Sequence, residues 1–253
     1  MRTAGLLAAT GAGAVLGGAA LHLVPGVATL RRFRCAFLPA LSGVGDAGHV
    51  ALTFDDGPDP ASTPAFLDAL DALGWRATFF LLGEQVRRHP ELAAEVAGRG
   101  HEVGAHGHRH SNHLLRSARW TRSDLQRAVD AVGDATGRAP SWFRPPYGAL
   151  AASSLVAARD QQLPIVLWTS WGRDWRSAAT PQSVVADIAG SWRVGATVLL
   201  HDSDITSAPR SWRAALDALP ILAERWASQG LTVGPLAEHG IRRAPRRAAP
   251  RPA

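Results

Sequence analysis

From residue 48 onward the chain alternates short apolar runs rich in β-formers with amphipathic stretches of helical period, and no other feature limits its fold as tightly. Such alternation marks βα units that enclose a parallel sheet, whose strands are buried on both faces and read as near-continuous apolar runs. Seven runs carry it, at 50–54, 77–82, 102–105, 141–143, 164–169, 196–200 and 231–233. Helical patterns fall at 63–73, 91–97, 121–136, 150–162, 181–192 and 212–228. Ser62 with Pro64, and Thr180 with Pro181, have the form of helix starts, while Gly74, Gly137 and Gly230 follow helices as left-handed caps. The expected class is α/β, and the 253 residues suit one large domain with tails.

Charge excludes one class of partner. The net charge is +6 and every basic side chain is Arg. Nine of the 27 arginines are Arg2, Arg31, Arg32, Arg34, Arg242, Arg243, Arg246, Arg247 and Arg251; the remaining 18 face 21 acids, so the globular part has no basic footprint for nucleic acid. Cys35, the only cysteine, excludes an intrachain disulfide and a multi-cysteine zinc site.

Residues 3–30 contain no charged side chain and are mostly Ala, Gly, Leu and Val behind Arg2, which predicts a signal-like or membrane-anchor segment over 1–34. Gly26-Val27-Ala28 offers a small-x-small cleavage site, whereas the length also suits an uncleaved anchor. Three arginines just after the run oppose outward placement of the domain unless the segment is cleaved or its signal dominates. A buried Ala/Gly-rich helix is the third reading, weakened by its glycines. Export to the envelope or beyond follows from the first two. At the other end, 239–253 reads as a disordered basic tail rich in Arg, Pro and Ala.

The residues with chemistry fall where the runs end: Asp55 and Asp56 after the first, His106 and His110 after the third, Arg144 after the fourth, Asp174 after the fifth and His201 after the sixth. In parallel βα folds those ends share one face. Adjacent carboxylates are electrostatically expensive, and a cation relieves them: one binds it while the other takes a proton from the water it activates. A plain Asp-Gly-Pro turn is the simpler alternative for Asp55-Asp56-Gly57-Pro58. His106 and His110, four residues apart, share a face of a helical turn; in an extended segment His106, His108 and His110 would share one instead. His106 and His110 with one Asp is the preferred ligand set, and His89, His101 and His113 read as structural or solvated.

Taken in order, Thr53-Phe54-Asp55-Asp56-Gly57-Pro58, His106-x-x-x-His110, Arg144-Pro145-Pro146-Tyr147-Gly148, Asp174-Trp175 and Leu199-Leu200-His201 resemble the five motifs of the polysaccharide deacetylases, the NodB-homology or family-four carbohydrate esterases. The resemblance covers about 48–236 and marks that stretch as the catalytic domain. It implies a distorted seven-stranded (β/α) barrel; Asp55 as general base; Asp56, His106 and His110 as ligands of one divalent metal ion, zinc first and cobalt or another ion second; and His201 as general acid, oriented by Asp174. It also implies that Arg144 aims Asp55 through a forked contact, that the Tyr147 backbone N–H stabilises the oxyanion, and that Trp175 and Leu199 line the acetyl pocket. The implied activity is N-deacetylation of amino sugars in an envelope or extracellular polysaccharide by a monomer. Hydrolysis of another amide or an acetyl ester, such as a small cyclic amide or acetyl-xylan, and a non-catalytic carbohydrate-binding module are the alternatives.

Two positions depart from the family pattern. Gly107 stands where many members have Ser or Thr, so a hydroxyl that supports the metal histidines is missing. Trp171 stands where the fuller pattern has another Asp, which predicts a narrowed cleft or an aromatic wall for sugar stacking, formed within 168–175.

Overall fold

The computed structural model describes residues 30–241, together with 22, 23 and 26. Most of the expected signal-like or anchor segment, and 242–253 of the expected tail, lie outside the described residues. No helix among the described residues is long and apolar enough to cross a membrane.

Six parallel strands form one sheet among the described residues: β1 (His49–Asp55), β2 (Thr78–Leu81), β3 (Glu102–Ala105), β4 (Ser170–Trp171), β5 (Thr197–His201) and β6 (Thr232–Gly234). Their order is β3-β2-β1-β5-β4, with β6 beside the start of β1. Every residue of β1 after His49 is buried, as a central parallel strand requires. The Thr53 hydroxyl inside it is satisfied by donating to the Val198 carbonyl at 2.7 Å. Phe54 packs on Phe66 and Phe79 with ring centroids 5.1 and 5.0 Å apart. All three rings are fully buried, each contributing about 1.5–3 kcal/mol by removal from water.

The helices are α1 (Arg31–Phe37), α2 (Pro39–Ser42), α3 (Thr63–Ala72), α4 (Gly83–Arg88), α5 (Pro90–Gly98), α6 (Ala118–Thr136), α7 (Ala152–Asp160), α8 (Pro181–Gly190) and α9 (Trp212–Ser228). Thr180 caps α8 by accepting the Ser183 N–H at 3.1 Å, and Gly137 ends α6 in the left-handed region, as predicted. Ser62 makes no side-chain cap; its hydroxyl donates instead to the Asp202 carbonyl at 2.6 Å, which ties the start of α3 to the end of β5.

Two of the seven expected strands are reduced. The run at 141–143 is held only by isolated bridges from Phe143 to Ala105 and to Ile165, and of the run at 164–169 only Ile165 is bridged, the regular strand forming just after it at β4. Pro140, Pro145 and Pro164 flank these runs and lack the N–H a ladder needs. The sheet is therefore open between β3 and β4, and the bridged segments carry the wall across as a distorted barrel. Helix α1 belongs to this wall rather than preceding it. Arg31 Nη1 donates to the carbonyls of Thr169 at 2.9 Å and Ser191 at 3.1 Å, and the buried Arg34 donates to the Trp168 carbonyl at 2.6 Å. His239, placed in the tail by composition, is fully buried, with Nδ1 2.8 Å from His49 Nδ1 and Nε2 3.2 Å from the Gly195 carbonyl.

Burial lowers His101, His113 and His239 from 6.5 to about 4, and lowers His49, His108 and His110 as well. His101 Nδ1 accepts the Ala77 N–H at 3.2 Å, a contact that protonation would remove. Below pH 6.5 the unfolded chain takes up protons that these folded imidazoles refuse, so stability falls as pH drops towards about 4. Asp202 and Asp124, raised by burial to about 7 and about 6, act in the opposite sense, and the six lowered histidines outnumber them. The urea midpoint is expected to fall between pH 6.5 and 4.5, less steeply in His101→Asn; a midpoint that rises on acidification would contradict this balance.

Candidate active site

The register of the sheet assembles the site. Asp55 at the end of β1 pairs in register with His201 at the end of β5, so base and acid candidates stand on neighbouring strands at one face. His106 follows β3 directly, and Arg144 follows the Phe143 bridge, its N–H donating to the Ala105 carbonyl at 3.0 Å. A cavity of about 270 Å³ opens over these ends. Asp55, Asp56, His106, His110 and His201 lie on one part of its wall; Tyr147, Trp168, Trp171, Trp175 and Leu199 form the apolar part.

Asp56 is buried and has φ 82°, a left-handed conformation that costs a non-glycine residue about 1–3 kcal/mol and turns its carboxylate toward the histidines. Its Oδ1 lies 3.4 Å from Nε2 of both His106 and His110 and has no hydrogen-bond partner, while Oδ2 accepts the Thr206 hydroxyl at 2.5 Å. Ligand atoms of these three residues all lie within 4.8 Å of one another. His106 Nδ1 is 2.9 Å from the Arg144 carbonyl, which fixes the tautomer leaving the Nε2 lone pair toward Asp56. Burial would raise the Asp56 carboxyl, but the imidazoles of His106, His201 and His110 gathered around it hold it well below the usual carboxylate range. Burial lowers His110 to about 4, so it stays neutral at physiological pH. An orphaned carboxylate oxygen facing two imidazole nitrogens fits a divalent cation with open positions.

The loop between the histidines is neither helical nor extended. Gly107 has φ 83°, and a Cβ there would sit 3.0 Å from Asp124 Oδ2. Asp124, on α6, accepts the N–H groups of His108 at 2.8 Å and Arg109 at 3.1 Å, clamping the loop from the side where a hydroxyl at 107 would stand. His108 turns away from the cluster, with Nε2 2.6 Å from Arg127 Nη2. His110 Nδ1 is buried without a hydrogen-bond partner among the described residues.

Arg144 is fully buried and aims Asp55, but not by the expected fork. Nη1 is shared between Asp55 Oδ1 at 2.7 Å and Thr53 Oγ1 at 2.8 Å, because Nη2 and Nε serve the carbonyls of Leu167 at 2.9 Å and Val166 at 3.3 Å. Asp55 Oδ2 is left on the side of His106, 3.7 Å from its Nε2. His201 is held by both oxygens of Asp174: Nδ1 at 3.0 Å from Oδ1, and its backbone N–H to Oδ2 at 2.7 Å. Burial disfavours the imidazolium, but the charge and hydrogen bond of Asp174, with the charges of Asp56 and Asp55, outweigh it and raise His201 to about 10.

Tyr147 has φ 60° in a short turn at Pro146–Gly148, and its exposed ring lies 4.3 Å from that of His110. Trp171 stands between Trp168 at 6.0 Å and Trp175 at 5.3 Å, and Trp175 meets His201 edge-on at 5.7 Å. The three indoles of the 168–175 segment thus lie side by side along the cavity. Sequence reading missed Thr206, Ser207, Asp124 and Asp202. Thr206 and Ser207 lie in an irregular loop with no periodic signal. Asp202 accepts Gly57 N–H at 3.2 Å and the Thr63 hydroxyl at 2.5 Å, bracing the Asp55-Asp56 turn; its place beside His201 at a strand end was the available clue.

Comparison with known proteins agrees with this geometry. Residues 42–166 match the family model described as polysaccharide deacetylase. A peptidoglycan-N-acetylglucosamine deacetylase of Bacillus cereus is 34% identical over 164 residues, 65% of this chain and 59% of that protein. A chitooligosaccharide deacetylase of Bradyrhizobium is 33% identical over 198 residues, 74% of this chain and 88% of that protein. Among solved structures, a peptidoglycan N-acetylglucosamine deacetylase superposes with TM-score 0.74 at 28% identity, covering 82% of this chain and 96% of that one. A family-four pseudoenzyme from Bacillus anthracis superposes with TM-score 0.69 at 27% identity, covering 77% of this chain and 66% of that one. In motif order, strand topology and extent of match, this chain belongs to the polysaccharide deacetylase family.

Proposed function

We propose that the protein is a metal-dependent hydrolase that removes N-acetyl groups from amino-sugar residues of a cell-envelope or extracellular polysaccharide. The observation that carries this reading is the convergence of Asp56, His106 and His110 beside Asp55 and His201 on one cavity wall. Family membership alone would not suffice, since a pseudoenzyme shares the fold. The peptidoglycan and chitooligosaccharide activities named for the relatives support the polymer class, and the charge-free stretch at 3–30 supports an exported or membrane-anchored location.

Asp56, His106 and His110 would hold the cation, zinc first, which when bound polarises the acetamide carbonyl and acidifies the attacking water. Asp55, with Oδ1 fixed by Arg144, removes the proton of that water through Oδ2. The Tyr147 N–H is the proposed donor to the oxyanion, and Pro145-Pro146 stiffen the turn that presents it. His201, charged and gripped at Nδ1 by Asp174, protonates the leaving amine from Nε2. Trp175 and Leu199 enclose the acetyl methyl, and the Trp168–Trp171 wall faces the apolar side of a pyranose.

With zinc or cobalt, the protein is expected to release acetate from N-acetylglucosamine oligomers or peptidoglycan, and Asp55→Asn to lose at least ~100-fold in kcat/KM while retaining metal. No acetate from peptidoglycan, chitin oligomers or acetylated xylan would sink the deacetylase reading. Asp174→Asn removes the largest influence raising His201, so the alkaline limb of kcat/KM should move to lower pH; an unmoved limb would remove His201 as the acid. Asp124→Ala frees the His106–His110 loop, and zinc affinity measured by chelator competition is expected to fall ~10–100-fold, the range for supporting groups of metal ligands. Unchanged zinc affinity in a folded Asp124→Ala protein would reduce Asp124 to a structural role.

A further inference from the structure

Trp171 has two sides. One faces the catalytic cavity; the other forms a wall of a separate pocket of about 220 Å³ lined by Arg31, Arg173, Asp187 and Ser191. Arg173 is exposed, yet its guanidinium lies over the Trp171 indole, 4.9 Å from the ring centroid, and its backbone is fixed at φ 49° with its carbonyl accepting Arg176 Nε at 3.0 Å. Arg31 is half-buried, with Nη1 on the carbonyls of Thr169 and Ser191. Neither arginine has a carboxylate within ion-pair distance among the described residues. The one acid in the pocket, Asp187, is paired with Arg176. Among the described residues the pocket therefore holds two guanidinium charges with no counter-ion, one of them preoriented on an aromatic face. Trp171, the wall common to both pockets, is uncharged.

We propose that this pocket is an anionic subsite, taking a carboxylate or phosphate carried on the glycan next to the residue deacetylated in the main cavity. Trp171 is the shared partition: its inner face stacks a sugar and its outer edge and Arg173 receive the charged substituent. Guanidinium groups suit this task, since their planar donor set matches both oxyanions and stays charged at any physiological pH. The proposal rests on the deacetylase reading for the meaning of "next to", but its charge selectivity can be measured independently of turnover.

The test compares three glycans on the zinc-loaded protein: a neutral N-acetylglucosamine oligomer, muramic-acid-containing strands with free carboxylates, and the same strands with carboxylates reduced to alcohols. The wild type is expected to favour the carboxylate strands over the reduced ones by about tenfold in kcat/KM, and this preference should shrink as salt rises from about 50 to 500 mM. Arg173→Gln should remove most of the preference, and Arg173→Glu should reverse it. A fourth arm with phosphate-bearing wall glycan separates the sources: preference for it over the carboxylate strands assigns phosphate, and the converse assigns carboxylate. Equal kcat/KM for free and reduced strands in the wild type, with no preference for the phosphate glycan, or a preference that survives Arg173→Glu, would overturn the subsite. If no glycan is turned over, the deacetylase reading fails by itself; equilibrium binding of carboxylate against reduced strands to the wild type and Arg173→Glu then decides the subsite, tighter carboxylate binding lost in the variant supporting it and equal binding refuting it.

Discussion

The guanidinium of Arg144 is the contact on which the rest of the structure depends. It occupies the interior of the barrel, 3.9 Å from the Phe80 ring centroid, and joins β1, through Asp55 and Thr53, to the carbonyls of Val166 and Leu167. Those carbonyls lie where the sheet fails to close. A buried cation with no partner would cost several kcal/mol, and loss of either member of such a pair typically costs about 3–5 kcal/mol. The same interaction that completes the wall therefore positions the candidate base. Arg34 and Arg31 extend the pattern to the carbonyls of Trp168 and Thr169, so three arginines bond the consecutive carbonyls of 166–169. Helix α1 is held to the body by this chemistry.

This explains which parts of the molecule were legible in the sequence. The apolar runs of β1, β2, β3 and β5 and the long helices α6 and α9 follow from periodicity, because their burial is continuous and their hydrogen bonds are internal. The runs at 141–143 and 164–169 have the same apolar signal, but prolines at their ends and side-chain donors from elsewhere decide their form. Composition assigned Arg31 and Arg34 to a charged flank; only the unpaired carbonyls explain why they are folded in. His239 misled in the same way, since a single imidazole in a polar stretch gives no sign that it will be buried against His49.

The site divides similarly. Asp55, Asp56, His106, His110, Arg144, Asp174 and His201 stand at strand ends, so order along the chain nearly dictates their meeting. Their supports do not. Asp124 sits one helix away on α6 and acts through backbone N–H groups, and Thr206 reaches Asp56 from a loop with no regular period. The forked contact expected of Arg144 failed because a side chain with five donors was already needed by carbonyls that sequence does not show to be unpaired.

Gly107 and Trp171 take opposite positions in this logic. At Gly107 no side chain stands beside His106 and His110, and the loop is held by the Asp124 carboxylate, whose oxygen lies where a Cβ would meet it at 3.0 Å. The loop is thus held at its backbone, while His110 Nδ1 has no partner among the described residues. At Trp171 a large side chain is packed on several sides: Trp168 and Trp175 flank it, and Arg173 covers it. An indole between two aromatics leaves the partition between the two pockets filled and uncharged. A hydrolytic centre of the proposed kind needs charge held at fixed distances, which the strand ends supply through their register. Recognition of a long polymer needs a surface beyond that centre, and here the changed residue lies on the boundary between the two.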